Sequence, residues 1–314
     1  MLNQLTIVNF MVFRHLEIPT LKRVNLISGK NNVGKTTLLD AIRILKADDK
    51  EQSRVVNDIL IKRDLHTKYY DCYESLVYRD AQANLENEEL FKINSLFLNR
   101  KEQKSGTQFI NGFAINRSRN FLNPKEITKA REKLVYVSFQ FNFDNLKELW
   151  NNIDLTPKED DVLKILRDTI EPDIIRFSVK DKSVIVRLKG IEEPFPLKTL
   201  GDGVQRILMI AMSLANAQNS ILLIDEIEMG LHYTVLEKLW AMIFKYAHLW
   251  NIQVFVTTHS QDALKAFHRI ADQDEYKEEA QFIRLQRSRK GEIEAILFDE
   301  ERLESSLEMK IDIR

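Results

Sequence analysis

The feature that most constrains this chain is the run "GKNNVGKT" at residues 29–36, set directly between the apolar stretch "RVNLIS" and the run "TLLDAIRIL". Gly29 and Gly34 allow the backbone to curl until its N–H groups point inward at phosphate oxygens. Lys35 brings a fixed positive charge to the outer phosphates, and the Thr36 hydroxyl suits Mg2+. A helix is expected to start at Lys35, with Leu38, Leu39, Ile42 and Leu45 on one face, and it would aim its positive end at the same anion. A chance glycine turn could carry the same letters. What separates the two readings is the buried strand before and the amphipathic helix after, and both patterns are present. The expected nucleotide-binding set is Gly29, Asn31, Asn32, Val33, Gly34, Lys35, Thr36 and Thr37.

Charge and cysteine content narrow the setting. The chain has 314 residues, 46 basic against 47 acidic, and a formal net charge of -1. That balance argues against a surface coated for nucleic acid, although local basic clusters remain: Arg100, Lys101, Lys104, Arg117 and Arg119, then Arg284, Arg287, Arg289 and Lys290. Their plainer reading is solvated loop charge. The lone cysteine, Cys72, cannot form an internal disulfide. There is no signal-peptide pattern and no apolar run approaching the ~18 residues of a membrane span. The expectation is a cytoplasmic protein with no membrane contact.

Strand and helix patterns alternate along most of the chain. "LTIVNF" and "HLEIPTL" read as edge strands and "RVNLIS" as a buried one. "PKEDDVLKILRDTI" reads as a helix with Pro157 near its start. "DIIRFSV" and "SVIVRLK" read as a hairpin, and "EEAQFIRLQRSRKGEIEAILFD" as a closing one. Such alternation implies a mainly parallel sheet covered on both faces. Residues 46–132 are polar and rich in charge and Asn, with weak helical patterning. They are expected to form an inserted lobe upon one domain built from 1–45 and 133–314.

Three later segments would complete a phosphate site. In "ILLIDEIEMGLHY" (221–233) a buried strand ends in two carboxylates, at the edge where open α/β sheets bind ligands. Asp225 is placed to hold Mg2+ and Glu226 to act on an attacking water; alone, they would read as exposed acids at a strand exit. In "QVFVTTHSQDAL" (253–264) another buried strand ends in Thr257, Thr258, His259 and Ser260, where a histidine can reach a terminal phosphate. In "TLGDGVQRILMIAMSLANA" (199–217), Gly201, Asp202 and Gly203 make a tight entry to a long apolar helix, and Asp202 with Gln205 fits a capping box. On that segment alone, a capped core helix explains everything.

The four segments in this order resemble the ATP-binding-cassette (ABC) class of P-loop ATPases, in the RecF, chromosome-maintenance (SMC) and OLD-like branch often labelled bacterial AAA family ATPases. The resemblance covers residues 1–45 and about 199–270, and the rest only in layout. It implies an α/β P-loop NTPase of ABC-ATPase type, a mainly parallel sheet flanked by helices, with N-terminal antiparallel strands and an inserted, partly helical lobe. It implies ATP and Mg2+ as ligands and hydrolysis of ATP to ADP and phosphate. By the same resemblance Lys35 joins Glu226 and His259 as the catalytic set, His259 being the switch histidine. Thr36 and Asp225 match the metal ligands. Gln140 is a candidate for the metal-contacting glutamine and equally a plain strand residue. Gly230 and Leu231 fall in a dimer-contact loop.

Two departures stand out. The family signature Leu-Ser-Gly-Gly-Gln is replaced by Leu200, Gly201, Asp202, Gly203 and Val204, so a serine hydroxyl is missing. The short remainder after the switch histidine holds no cluster of acids like that of an OLD nuclease domain. The resemblance thus implies a homodimer in which the 201–203 loop completes the partner's site in trans. It implies an output performed by a separate effector, a nuclease or toxin, in a phage-defence or toxin-type system. The rival is an ATP-gated DNA clamp with slow turnover; a transporter ATPase is disfavoured by the signature and the long insertion.

Overall fold

In the computed structural model the described residues are 1–47, 51–63, 66–67, 70–71, 76, 89–93, 96–99, 108–110, 113–117, 134–180, 182–201 and 203–298. Asp202, Cys72, Arg100, Lys101, Lys104 and Arg119 lie outside them.

The chain opens with β1 (Leu5–Phe10), β2 (Phe13–Ile18) and β3 (Val24–Ser28), followed by α1 (Lys35–Lys46) and α2 (Gln52–Lys62). Short strands come next: β4 (His66–Thr67), β5 (Tyr70–Asp71), β6 (Glu89–Ile93), β7 (Leu96–Asn99), β8 (Gln108–Ile110) and β9 (Phe113–Arg117). β10 (Leu134–Val137) precedes α3 (Phe143–Asn151) and α4 (Pro157–Thr169). Then come β11 (Ile174–Lys180), β12 (Ser183–Leu188), β13 (Phe195–Pro196) and α5 (Val204–Asn216). The chain continues through β14 (Ile221–Ile224), α6 (Tyr233–Leu249), β15 (Gln253–Thr257) and α7 (Gln261–Ala271), and closes with β16 (Ala280–Arg287) and β17 (Ile293–Phe298).

The central sheet has the order β10-β14-β15-β3-β16-β17, parallel except for β17. Its middle strands are buried at every residue, which is why they read as continuous apolar runs. The two-residue period divides each strand between two cores. Val24, Leu26, Leu222, Ile224, Val254 and Val256 face the core under α5, α6 and α7. Ile27, Ile221, Leu223 and Phe255 face the one made by β1, β2, α1 and α2. Trp240, Phe244 and Phe267 pack ring against ring in the first, with Trp240 Nε1 donating to the Ala263 carbonyl at 3.0 Å. The apolar body is buried while the indole N–H keeps a partner.

A second, antiparallel sheet has the order β2-β1-β6-β7-β9-β8. β6 takes the free edge of β1 in the register Ile7↔Ile93. Strands from the 46–132 stretch therefore extend the N-terminal sheet, and α2 is the longest helix described there. The weak helical patterning of that stretch concealed short strands, of which β6 pairs with β1, 86 residues earlier, in the register Ile7↔Ile93. β11, β12 and β13 form a third sheet, with the hairpin where the alternation placed it.

Candidate functional site

β3, β15 and β14 lie side by side, and all three end at the same edge of the central sheet. Each hands its next residues to the site. After β3 the chain turns through Gly29–Gly34. Gly34 sits at φ 90 as the N-cap of α1, and a Cβ there would lie 2.7 Å from Phe13 Cζ. The turn is thus pressed against β2 and admits only glycine at this position. Val33 is buried, and Asn32 also lies at positive φ. The Lys35 ammonium donates to the carbonyls of Gly29 (2.7 Å) and Lys30 (3.0 Å), which folds it over the loop. Burial holds Lys35 below its ordinary value, against the opposing fields of Glu226, Glu228 and Asp225.

At the end of β14, Asp225 is 0% exposed. Its carboxylate accepts from the Thr257 hydroxyl at 2.6 Å and from the Thr36 hydroxyl at 3.1 Å. Burial pushes its pKa up, and these two hydrogen bonds work against the rise. Among the described residues this carboxylate forms no salt bridge. A buried anion held only by hydroxyls, beside a phosphate-shaped turn, is the donor set that Mg2+ takes together with phosphate oxygens. Side chains alone do not complete such a site: among the described residues no group of three or more His, Cys, Asp and Glu could hold a metal.

Glu226 follows in a left-handed conformation, φ 50, with its N–H donating to Thr257 Oγ1 at 2.8 Å. Such backbone strain in a non-glycine residue gathers at functional sites. Burial raises the Glu226 carboxyl; His259 opposes the rise, while Asp225 and Glu228 add to it. His259 enters from the end of β15 and is held just before α7 by Ser260, whose side chain accepts from Ala263 N as the helix N-cap.

One cavity of about 600 Å³ is lined by Asn31, Asn32, Gly34, Lys35, Thr36, Thr37, Glu226 and His259, with Val12 and Arg63. The structure thus brings together the first, second and third sequence segments. Gln140 stands apart: it is exposed, its backbone N–H donates to Ser138 Oγ at 3.3 Å, and it lines a neighbouring cavity instead. The N-cap of α5 is Gly203, with no side-chain cap, so the helix starts one residue later than the Asp202–Gln205 capping box requires. Gly203 is also pressed against its own chain: a Cβ would lie 2.9 Å from Gly230 O and 2.8 Å from Leu231 Cδ2. The 201–203 loop and the loop after Asp225 are neighbours within one protomer.

Three residues were missed by sequence reasoning. Arg206, within "GDGVQR", donates from its guanidinium to the carbonyls of Ser138 (2.5 Å), Asp225 (2.6 Å) and Glu226 (3.2 Å), so α5 grips the strand end that carries both acids. Arg63 reaches the cavity from the end of α2, donating to Asp40 Oδ2 at 2.6 Å and Thr37 Oγ1 at 3.3 Å. Nothing in the sequence near Arg63 signals this. Glu228, the third acid of "DEIE", holds the His259 segment from below.

Comparison with known proteins identifies the family and the fold. Residues 77–264, more than half of the chain, match the family described as "AAA domain, putative AbiEii toxin, Type IV TA system", and the chain belongs to that family. The fold is that of an SMC head. The SMC head domain from Thermotoga maritima superposes with a TM-score of 0.50 at 14% identity, covering 95% of this chain and 98% of that one. The Pyrococcus furiosus Smc head bound to the C-terminal domain of ScpA gives 0.54 at 11%, covering 98% of each. Among curated proteins, an ATP/GTP phosphatase of Helicobacter pylori is 29% identical over 94 residues, 29% of this chain and 25% of that protein. The methionine import ATP-binding protein MetN of Legionella pneumophila is 25% identical over 144 residues, 46% of this chain and 39% of MetN. The chain therefore spans well under half the length of these curated relatives. Fold, motifs and family together define an ABC-class P-loop ATPase of the RecF/SMC-like type.

Proposed function

We propose that this chain binds and hydrolyses ATP with Mg2+, works as a nucleotide-driven homodimer, and controls a separate effector protein of nuclease or toxin type in the cytoplasm. The observation that carries the reading is the convergence of Lys35, Thr36, Glu226 and His259 on one cavity, with buried Asp225 hydrogen-bonded to Thr36. The backbone N–H groups of 29–36, the α1 N-terminus and Lys35 hold the phosphates. Thr36 and Asp225 would hold Mg2+, which supplies charge neutralisation on the phosphate oxygens. Glu226 orients a water and accepts its proton, and the burial that raises its pKa makes it a better base than a solvated carboxylate. His259 faces the terminal phosphate.

Dimerisation would supply what one protomer lacks: Gly201 is exposed, and from there the start of α5 could close the partner's site with backbone N–H groups and the helix N-terminus. The toxin-type setting is supported by the family description, which names a putative toxin of a toxin–antitoxin system. Light scattering of Glu226→Gln with ATP and with ADP tests the assembly: ATP is expected to give a dimer and ADP a monomer. A monomer under both conditions would remove the trans role of the loop. The second reading, an ATP-gated DNA clamp, is favoured by Arg287, Arg289 and Lys290, exposed together on the β16–β17 hairpin. It requires DNA binding that depends on ATP and falls steeply with salt.

A further inference from the structure

We infer that Glu228 is the positioning residue of this site, setting the tautomer and orientation of the His259 ring. The inference rests on the ATPase reading for its consequence, and on geometry alone for its substance.

The loop after β14 supplies the fixed point. Ile227 is 0% exposed, and its N–H donates to Thr257 O at 3.1 Å, which pins the loop to the end of β15. Glu228 is the next residue, so its side chain leaves a held stretch of backbone. One oxygen, Oε2, accepts from the Thr258 hydroxyl at 2.8 Å. The other, Oε1, accepts from the backbone N–H of His259 at 2.8 Å and lies 3.0 Å from His259 Nδ1. A single carboxylate, 12% exposed, thus accepts from a hydroxyl and a backbone N–H of two consecutive residues and stands beside a ring nitrogen of the second. Ser260 N donates to the same Thr258 hydroxyl at 3.0 Å, which extends the arrangement to the cap of α7.

The imidazole itself is 46% exposed, and the other carboxylate near it, Glu226 Oε1, lies 3.8 Å from Nδ1. Glu228 is therefore the group that chooses the ring's orientation. A carboxylate oxygen beside Nδ1 favours a proton on that nitrogen, which leaves Nε2 as the free edge. Without Glu228 the nearest carboxylate for the ring is Glu226. The ring would swing onto it and occupy the group that acts on water. Glu228 thereby keeps His259 and Glu226 in separate roles.

The same loop also meets the 201–203 region. Leu231 N donates to Glu228 O at 2.9 Å, and Gly203 packs on Gly230 and Leu231. A contact made by the 201–203 loop is one turn away from the carboxylate that orients His259.

Two measurements on the full chain test this. In steady-state ATPase assays, Glu228→Ala is expected to lower kcat at least about tenfold, a general acid–base scale of effect, while KM for ATP stays within about threefold. In a His259→Ala background the same substitution should cost no further activity, because its effect passes through the ring. Glu228→Gln, which keeps an oxygen acceptor, should recover most of the rate. Long-range 1H–15N spectra of the imidazole should show the Nδ1–H tautomer in wild type and Glu228→Gln, and its loss in Glu228→Ala. Equal loss of kcat with and without His259, or an unchanged spectrum in Glu228→Ala, would overturn the assignment. If wild type hydrolyses ATP no faster than Lys35→Ala, the ATPase reading fails. The spectra then decide on Glu228 alone, since an Nε2–H ring in wild type would refute it.

Discussion

Two cavities of nearly equal size lie at the two ends of α1, one by its first turn and one by its last, and they are built in different ways. The cavity proposed for nucleotide, about 600 Å³, is lined by the turn and helix start at 31–37, by Glu226 and His259 just beyond two strand ends, and by Val12 and Arg63. The other, about 640 Å³ beside β10, has among its lining the long charged side chains Arg43, Asp58 and Lys62, which pair with each other. There the Arg43 guanidinium pairs with Asp40 at 3.2 Å and with Asp58, and lies 4.3 Å above the Tyr136 ring, with Lys62 pairing Asp58 at 3.1 Å. Burial lowers the Arg43 pKa, and Asp40 and Asp58 more than reverse that. In the first cavity, polar groups stand at fixed points around space. In the second, the charges of Arg43, Asp58 and Lys62 are already paired with one another. Volume does not distinguish the two; the state of the polar groups does.

The largest effect expected from breaking this contrast is in the nucleotide cavity. Glu226→Gln should lower turnover by about 10²–10⁴-fold while ATP binding persists, since it removes only the group acting on water. Lys35→Ala should instead weaken ATP binding itself. An ATPase assay with a nucleotide titration separates the two, and wild-type turnover in Glu226→Gln would remove Glu226 from the reaction.

Arg43→Met probes the other cavity. Asp40 keeps Arg63 and Asp58 keeps Lys62, so neither carboxylate is stranded, and the cost should be about 2–3 kcal/mol, the scale of lost charged hydrogen bonds. Urea unfolding measures it. ATP affinity should change little, and a large loss of affinity would mean that the two cavities are coupled through Asp40.

The smallest expected effect is at the contact between the 201–203 loop and its own chain. Gly203→Ala places a methyl against Gly230 O and Leu231, and overpacking of this kind costs about 1–3 kcal/mol. A thermal melt reads it. The contact has a practical consequence: a bulky change at Gly203 disturbs its own protomer before it meets a second one. At Gly201 an added Cβ would meet nothing within 4 Å, so a substitution there leaves the loop's packing intact, although the φ of 133 makes any side chain strained.

Much of the fold was legible because its signals are local. The apolar runs 24–28, 221–224 and 253–257 are buried at every residue, so continuous hydrophobicity was a sufficient sign of central strands. Pro157 at the first turn of α4 marked its start. The strands of the 46–132 stretch were not legible: they are short, and the one that joins them to the rest, β6, pairs with an edge of β1 supplied from elsewhere. The start of α5 was misread by one residue because the acid of "GDG" suggested a cap that Gly203 takes without a side chain. Gln140, chosen for its place after a strand, lies beyond the point where β10 ends at Val137, and it lines the second cavity.

The sequence by itself determined the phosphate turn, the acids at the end of β14 and the order of the segments. Each is a short-range matter of glycine spacing, residue chemistry and burial over a few consecutive positions. Only the tertiary structure decided which long or charged side chains serve them. Arg206 meets the Asp225 carbonyl across 19 residues, Arg63 meets Asp40 across 23, and His259 meets Glu228 across 31. Hydrogen bonds at such separations depend on how strands stack side by side and where helices settle upon them, and no local pattern of residue types encodes that distance.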